Sequence, residues 1–186
     1  MEVTIQKWIN EIKETNASFQ KEFAGLSPEL RMTKPTKNDW SINEIIIHII
    51  TVNESYWPIF DLVAKGRYVH SMMGNFAFFR KLFGKMILKS VQPSEPKKQK
   101  TLPIWQPTSV DEAIDSLALL SAHCQQMIHK LESIEGPVKR NVTIASPAND
   151  LIVYDIQTAL DIIVAHMNRH KEQAIRTASS FSPRSS

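Results

Sequence analysis

Residues 159–177 read ALDIIVAHMNRHKEQAIRT. His166 and His170 stand four apart, so on a helix their side chains share one face about 5–6 Å apart. Ala159, Ile163, His166, His170, Gln173 and Thr177 advance by threes and fours, the spacing of a core-facing stripe. An imidazole pair on a buried stripe needs partners, because ring nitrogens without hydrogen bonds or a metal are costly to bury. Six His in 186 residues give roughly 0.2 such pairs by chance, so the pair alone is weak.

A second stretch adds to it. Residues 39–50 read DWSINEIIIHII. Ser41 followed three residues later by Glu44, just before an apolar run, is a capping box that starts a helix at Ser41. His48 follows one turn after Glu44 and shares an inward stripe with Ile45 and Val52. Two histidines from one helix and one from another is how helical bundles assemble metal sites, from side chains on facing helices.

Trp40, Ser41, Glu44 and His48, then His166, His170 and Gln173, with 118 residues between the first and second histidine (166 − 48), resemble the DinB-like superfamily. That superfamily comprises bacterial four-helix-bundle proteins with a three-histidine metal site, among them the YfiT-type thiol transferases and thiol-dependent maleylpyruvate isomerases. The resemblance implies an all-α four-helix bundle in which His48, His166 and His170 ligate a divalent metal. It also implies a thiol S-transfer reaction on a small-molecule substrate, with a low-molecular-weight thiol as co-substrate and metal-activated hydrolysis close behind. Homodimers are common in that family. No further side chain marks a particular thiol-using branch.

Three neutral imidazoles would leave the metal's full charge in place and at least one position open, the pattern of a catalytic rather than a structural site. Such a metal lowers the pKa of a bound water, polarises a carbonyl or holds a thiolate. Imidazole suits zinc, nickel, iron or copper equally. Met167, Asn168 and Arg169 separate the pair, so the glutamate of an H-E-x-x-H metalloprotease is missing. Glu44, Asp161 and Gln173 are the side chains to consider behind the ligands. Glu44 is explained by its cap and Asp161 lies off the stripe, whereas Gln173 shares the face of His170. No G-x-S-x-G or phosphate-binding glycine loop occurs.

The rest of the chain follows the same periodicity. Ile5, Trp8, Ile12, Phe19 and Phe23 predict a first helix over 3–23, closed by Gly25 and Ser27-Pro28. Residues 26–39 read as a loop. The second helix should run from 42 to 65 with a kink at Pro58, and a short helix is expected over 75–88. Pro93, Pro96, Pro103 and Pro107 make 91–107 a long connection between helices two and three. It is placed here as a lid over the site through Leu102, Ile104 and Trp105. A third helix is expected from Ser109 to Glu135, with Asp111-Glu112 in its first turn and Gly136-Pro137 closing it. His123 and His129 fall off its stripe and His70 falls in a loop, so all three read as exposed or edge residues. Cys124 reads as a small buried hydrophobe. Residues 138–151 read as a loop with a short extended piece at 142–145, and the fourth helix as beginning between Asp150 and Asp155 and reaching Ala178.

Length and composition fit one domain over 1–180 with a polar tail at 181–186. The single cysteine suits a reducing cytosol, and no secretory leader or run of 18 apolar residues occurs, so a cytoplasmic protein without a membrane partner is expected. Charge is uneven. Lys65, Arg67, Arg80, Lys81, Lys85, Lys89, Lys97, Lys98 and Lys100 face only Glu95, making 65–100 carry +8 while the remainder carries −5 of the +3 total. No nucleic-acid-binding motif accompanies that charge. The alternative to an enzyme is a metal-binding or structural bundle whose basic segment contacts an anionic partner.

Overall fold

A computed structural model describes residues 4–93, 100–107 and 114–181. Its frame is four long helical legs: α1 (Gln6–Phe23), α3 (Ile42–Glu54) continued by α4 (Trp57–Ala64), α6 (Ser116–Ser133) and α8 (Ile156–Ser179). α1 packs against α6 and α8, and α3 packs against the same two. Trp8, Ile12, Phe19 and Phe23 from α1 meet Ile42, Ile45, Ile46 and Ile49 from α3 in one core, with Leu120, Met127 and Ile163. Each leg thus buries the stripe its sequence periodicity marked, and burial of such apolar area drives the assembly. Among the described residues no helix is long and apolar enough to cross a membrane.

The connections depart from the periodicity. Residues 26–39 contain a short helix, α2 (Pro28–Met32), whose start Ser27 caps by accepting from the Leu30 N–H at 3.3 Å. The second leg is not one kinked helix: α3 ends at Glu54, and α4 starts at Trp57 with Pro58 in its first turn. Pro58 has no N–H to reach the Glu54 carbonyl, and a first helical turn is the place where that loss is free. α5 (Ala77–Ser90) lies two residues later than expected, after a 3₁₀ turn at Met72–Asn75. α6 begins at Ser116, where the Asp115 carboxylate accepts from the Leu117 and Ala118 N–H groups. The expected starting signals Ser109 and Asp111-Glu112 lie outside the described residues. Gly136-Pro137 does not stop α6, which ends at Ser133; it opens a short α7 (Glu135–Lys139).

The extended piece expected at 142–145 forms one strand of a β-hairpin, whose second strand takes the place of the expected loop before the last leg. β1 (Thr143–Ser146) and β2 (Asn149–Asp155) run antiparallel, with Thr143 opposite Asp155 and Ile144 opposite Tyr154. The Ile156 N–H donates to the Val142 carbonyl at 2.8 Å, so β2 feeds α8 without a linker. Tyr154 and Tyr56 share a buried hydroxyl–hydroxyl bond of 2.8 Å, tying the hairpin to the second leg.

Candidate metal centre

The capping box forms at the start of α3. Ser41 Oγ accepts from the Glu44 N–H at 3.2 Å, and Glu44 Oε2 accepts from the Ser41 N–H at 2.9 Å. Two orphan donors are thereby satisfied, and the register that results turns His48 inward, where it is 3% exposed. From α8, the unbroken run that places Ile163 in the core also places His166 and His170, each 8% exposed. The three rings meet. His48 Nε2 lies 3.2 Å from His166 Nε2, ring centroids are 4.4–5.1 Å apart, and one donor atom from each residue falls within 4.8 Å of the others.

Two of the rings are fixed from behind. His48 Nδ1 donates to the Trp105 carbonyl at 2.7 Å, and His170 Nδ1 donates to Gln173 Oε1 at 2.9 Å. A proton held on Nδ1 leaves the Nε2 lone pair free to ligate. His166 Nδ1 is buried without a hydrogen-bond partner among the described residues. Trp40 covers the group, its ring 4.8 Å from His48 and stacked at 27° to His170.

Burial dominates the electrostatics. It pushes His48 below the usual histidine range against the opposing pull of its Trp105 bond. It takes His170 down to about 3, assisted by the neighbouring His48, and it holds His166 well below the usual histidine range, with His170, His48 and Arg169 all disfavouring a proton there. The imidazoles are therefore neutral at pH 7, the form that binds metals. The donor set fits a divalent ion: nitrogens bonded at about 2.0–2.1 Å to a tetrahedral centre sit about 3.3 Å apart, close to the His48–His166 separation. Among the described residues no carboxylate or thiolate joins the cluster.

The sequence matches the family model of the DinB superfamily over residues 11–174, a span containing all three histidines. The chain belongs to the DinB superfamily. Its structure is similar to that of YfiT from Bacillus subtilis, described as a probable metal-dependent hydrolase with an unusual four-helix bundle topology. The TM-score is 0.56 at 15% identity, over 94% of this chain and 85% of that one; at that identity the likeness is one of fold. No curated protein matches the sequence.

This DinB-superfamily chain uses its other polar residues elsewhere. Glu44 serves its cap and pairs with Lys34 at 2.7 Å. Asp161 accepts from Trp8 Nε1 at 2.8 Å and from Lys7 Nζ at 3.1 Å, which ties α8 to α1. His129 is exposed beside Glu132, and half-buried His70 donates from Nδ1 to the Ser71 carbonyl of its own loop at 2.9 Å.

His123 corrects the sequence reading: it is buried, 3% exposed, with its ring stacked on Trp57 and its Nε2 accepting from Asn53 Nδ2 at 3.2 Å. α6 packs between α1 and α3, so its buried face is wider than one stripe, and burial pulls His123 down to about 4. Cys124 is sealed in the core, its thiol pushed up to about 12. The Trp105 carbonyl had no side-chain signal to announce it. Of the proposed lid, 94–99 lie outside the described residues, and 103–105 form a 3₁₀ turn packed on α3.

Proposed function

We propose that this protein is a metal-dependent enzyme acting on a small-molecule substrate, with His48, His166 and His170 holding a divalent ion such as zinc, nickel or iron. The observation that carries this reading is the donor set itself: three neutral imidazoles aimed at one point, with no fourth protein ligand among the described residues. When bound, such an ion supplies a Lewis acid that makes a nucleophile available at neutral pH. The chain's own residues do the rest. The Trp105 carbonyl and Gln173 fix which nitrogen His48 and His170 present, and Trp40 shields the rings from water on one side.

The nucleophile is either a small thiol or water. The motif resemblance supports thiol S-transfer, and the description of YfiT as a probable metal-dependent hydrolase supports hydrolysis. Cys124 supplies neither, being buried and fully protonated at pH 7.

The test begins with the metal content of the purified protein and of His48→Ala. Thiol consumption with a haloarene electrophile and hydrolysis of an ester panel follow on the same preparations. One ion per chain, lost in His48→Ala together with turnover of either kind, is the expected result. Stoichiometric metal without any turnover would replace the enzyme with a metal-binding protein whose basic segment contacts an anionic partner.

A further inference from the structure

α5 does not belong to the bundle core, and its two sides differ. Its inner side is pinned. Gly84 lies against the last leg so closely that a Cβ there would stand 2.9 Å from Thr158 Cγ2, and Arg80 pairs with Asp155 at 3.0 Å. The carbonyl of Ser90, at its last turn, accepts from Arg169 Nη1 at 2.9 Å. These contacts fix the rotation of the helix about its axis, and hence what it shows to solvent.

The outer side carries two ridges. Phe78, Leu82 and Met86, four apart, are 69%, 47% and 53% exposed. Lys81, Lys85 and Lys89, also four apart and exposed, run beside them. Residues three apart on a helix are neighbours, so each apolar side chain has a lysine at its shoulder. None of the three lysines has an ion pair among the described residues. Phe76, just before the helix, and Met72, in the preceding 3₁₀ turn, are also exposed, at 55% and 82%. Large apolar side chains displayed in a row at this exposure are uncommon on a monomer unless something covers them.

We propose that α5 is an interfacial helix by which the protein docks reversibly on an anionic lipid surface. A helix that sets Phe, Leu and Met against a lysine-rich flank lies in the plane of such a surface, apolar tips in the acyl boundary and ammonium groups among the headgroups. Charge selects this occupant. The segment 65–100 holds +8 against −5 for the rest of the chain, which orients α5 toward a negative surface. A second copy of the chain would bring six lysines to one contact. A peptide helix needs a groove, whereas a Phe78 ring 69% exposed stands proud of its surroundings. This departs from the expectation of no membrane partner, and it requires no spanning segment.

Co-sedimentation of the full chain with vesicles tests it, comparing phosphatidylcholine alone with an equal mixture of phosphatidylcholine and phosphatidylglycerol. Binding should appear with the mixed vesicles at 50 mM salt, fall steeply at 500 mM, and be at least tenfold weaker with phosphatidylcholine. Lys81→Gln/Lys85→Gln/Lys89→Gln should lose about a hundredfold in partitioning, from about fivefold per lysine near an anionic surface. Phe78→Gln/Leu82→Gln should lose at least tenfold. Both variants change exposed side chains, so their thermal midpoints should match the parent. His48→Ala should bind vesicles like the parent, which separates this surface from the metal site. Absence of binding to mixed vesicles at 50 mM salt, or equal binding by the lysine variant, overturns the proposal. So does a dimer that Phe78→Gln/Leu82→Gln dissociates while the parent ignores vesicles, which would assign the face to a second copy.

Discussion

Gln173→Met removes the oxygen that receives the His170 Nδ1 proton while keeping a side chain of similar length. His170 is 8% exposed and its Nδ1 has this one partner at 2.9 Å, so the N–H is left unpaired in a place where water replaces it poorly. Two costs follow. Without metal, stranding a buried donor should lower folding stability by about 1–3 kcal/mol. With metal, loss of the group that orients a ligand should weaken affinity about 10- to 100-fold, or about 1.4–2.7 kcal/mol. Gln173→Glu restores an acceptor, and a stronger one, so its affinity should equal or exceed that of the parent. Isothermal titration of the apo-protein with zinc, under competition by a chelator of known affinity, reads the second cost; urea unfolding in the presence of EDTA reads the first. If Gln173→Met binds zinc within twofold of the parent, then His170 does not ligate through Nε2 with its proton held by Gln173, and the inferred donor geometry is wrong.

Three further perturbations probe the frame. His123 is depressed to about 4 from an ordinary value of 6.5, so the unfolded chain takes up its proton first as pH falls. Its contribution to stability is present above pH 6.5 and should decline by about 2.5 kcal/mol by pH 4.5; His123→Gln, compared with the parent by urea unfolding in EDTA at both pH values, should show a correspondingly smaller drop. Gly84→Ala drives a methyl into Thr158 and toward Tyr154 Cβ at 3.3 Å, which should cost about 1–3 kcal/mol, and a double substitution with Thr158→Ser should recover part of it. Ser41→Ala breaks the capping box and should cost about 1 kcal/mol by urea midpoint, whereas Ser41→Asp should stay close to the parent.

What could be read from the sequence was what repeats or caps locally. The 3.6-residue stripe of Trp8, Ile12, Phe19 and Phe23 and the Ser41–Glu44 box each carry their structural reason within a few residues, and both formed. His48, His166 and His170 were found because the stripes that carry them also carry isoleucines. Features set by distant neighbours stayed hidden. Asn149-Asp150-Leu151 is exposed and polar at one end, and only its pairing with Thr143–Ser146 makes it a strand. His123 looked peripheral because its partners, Asn53 and Trp57, come from the other side of the bundle. Pro58 was placed correctly as a disruption but not as a helix start, since the broken residues Ser55 and Tyr56 carry no breaker signal of their own. The Trp105 carbonyl is backbone, and backbone has no letter in a sequence.

The deep seat of the lone sulfur has a practical consequence for telling one chemistry from another. A disulfide reagent added to the native protein will find nothing to react with except a thiol supplied as substrate, so a colorimetric assay of S-transfer runs on a silent background. The same side chain becomes a clock once the bundle opens: it labels only as fast as the core admits the reagent. One preparation can thus report both turnover and breathing, with the two signals separated by omitting the substrate.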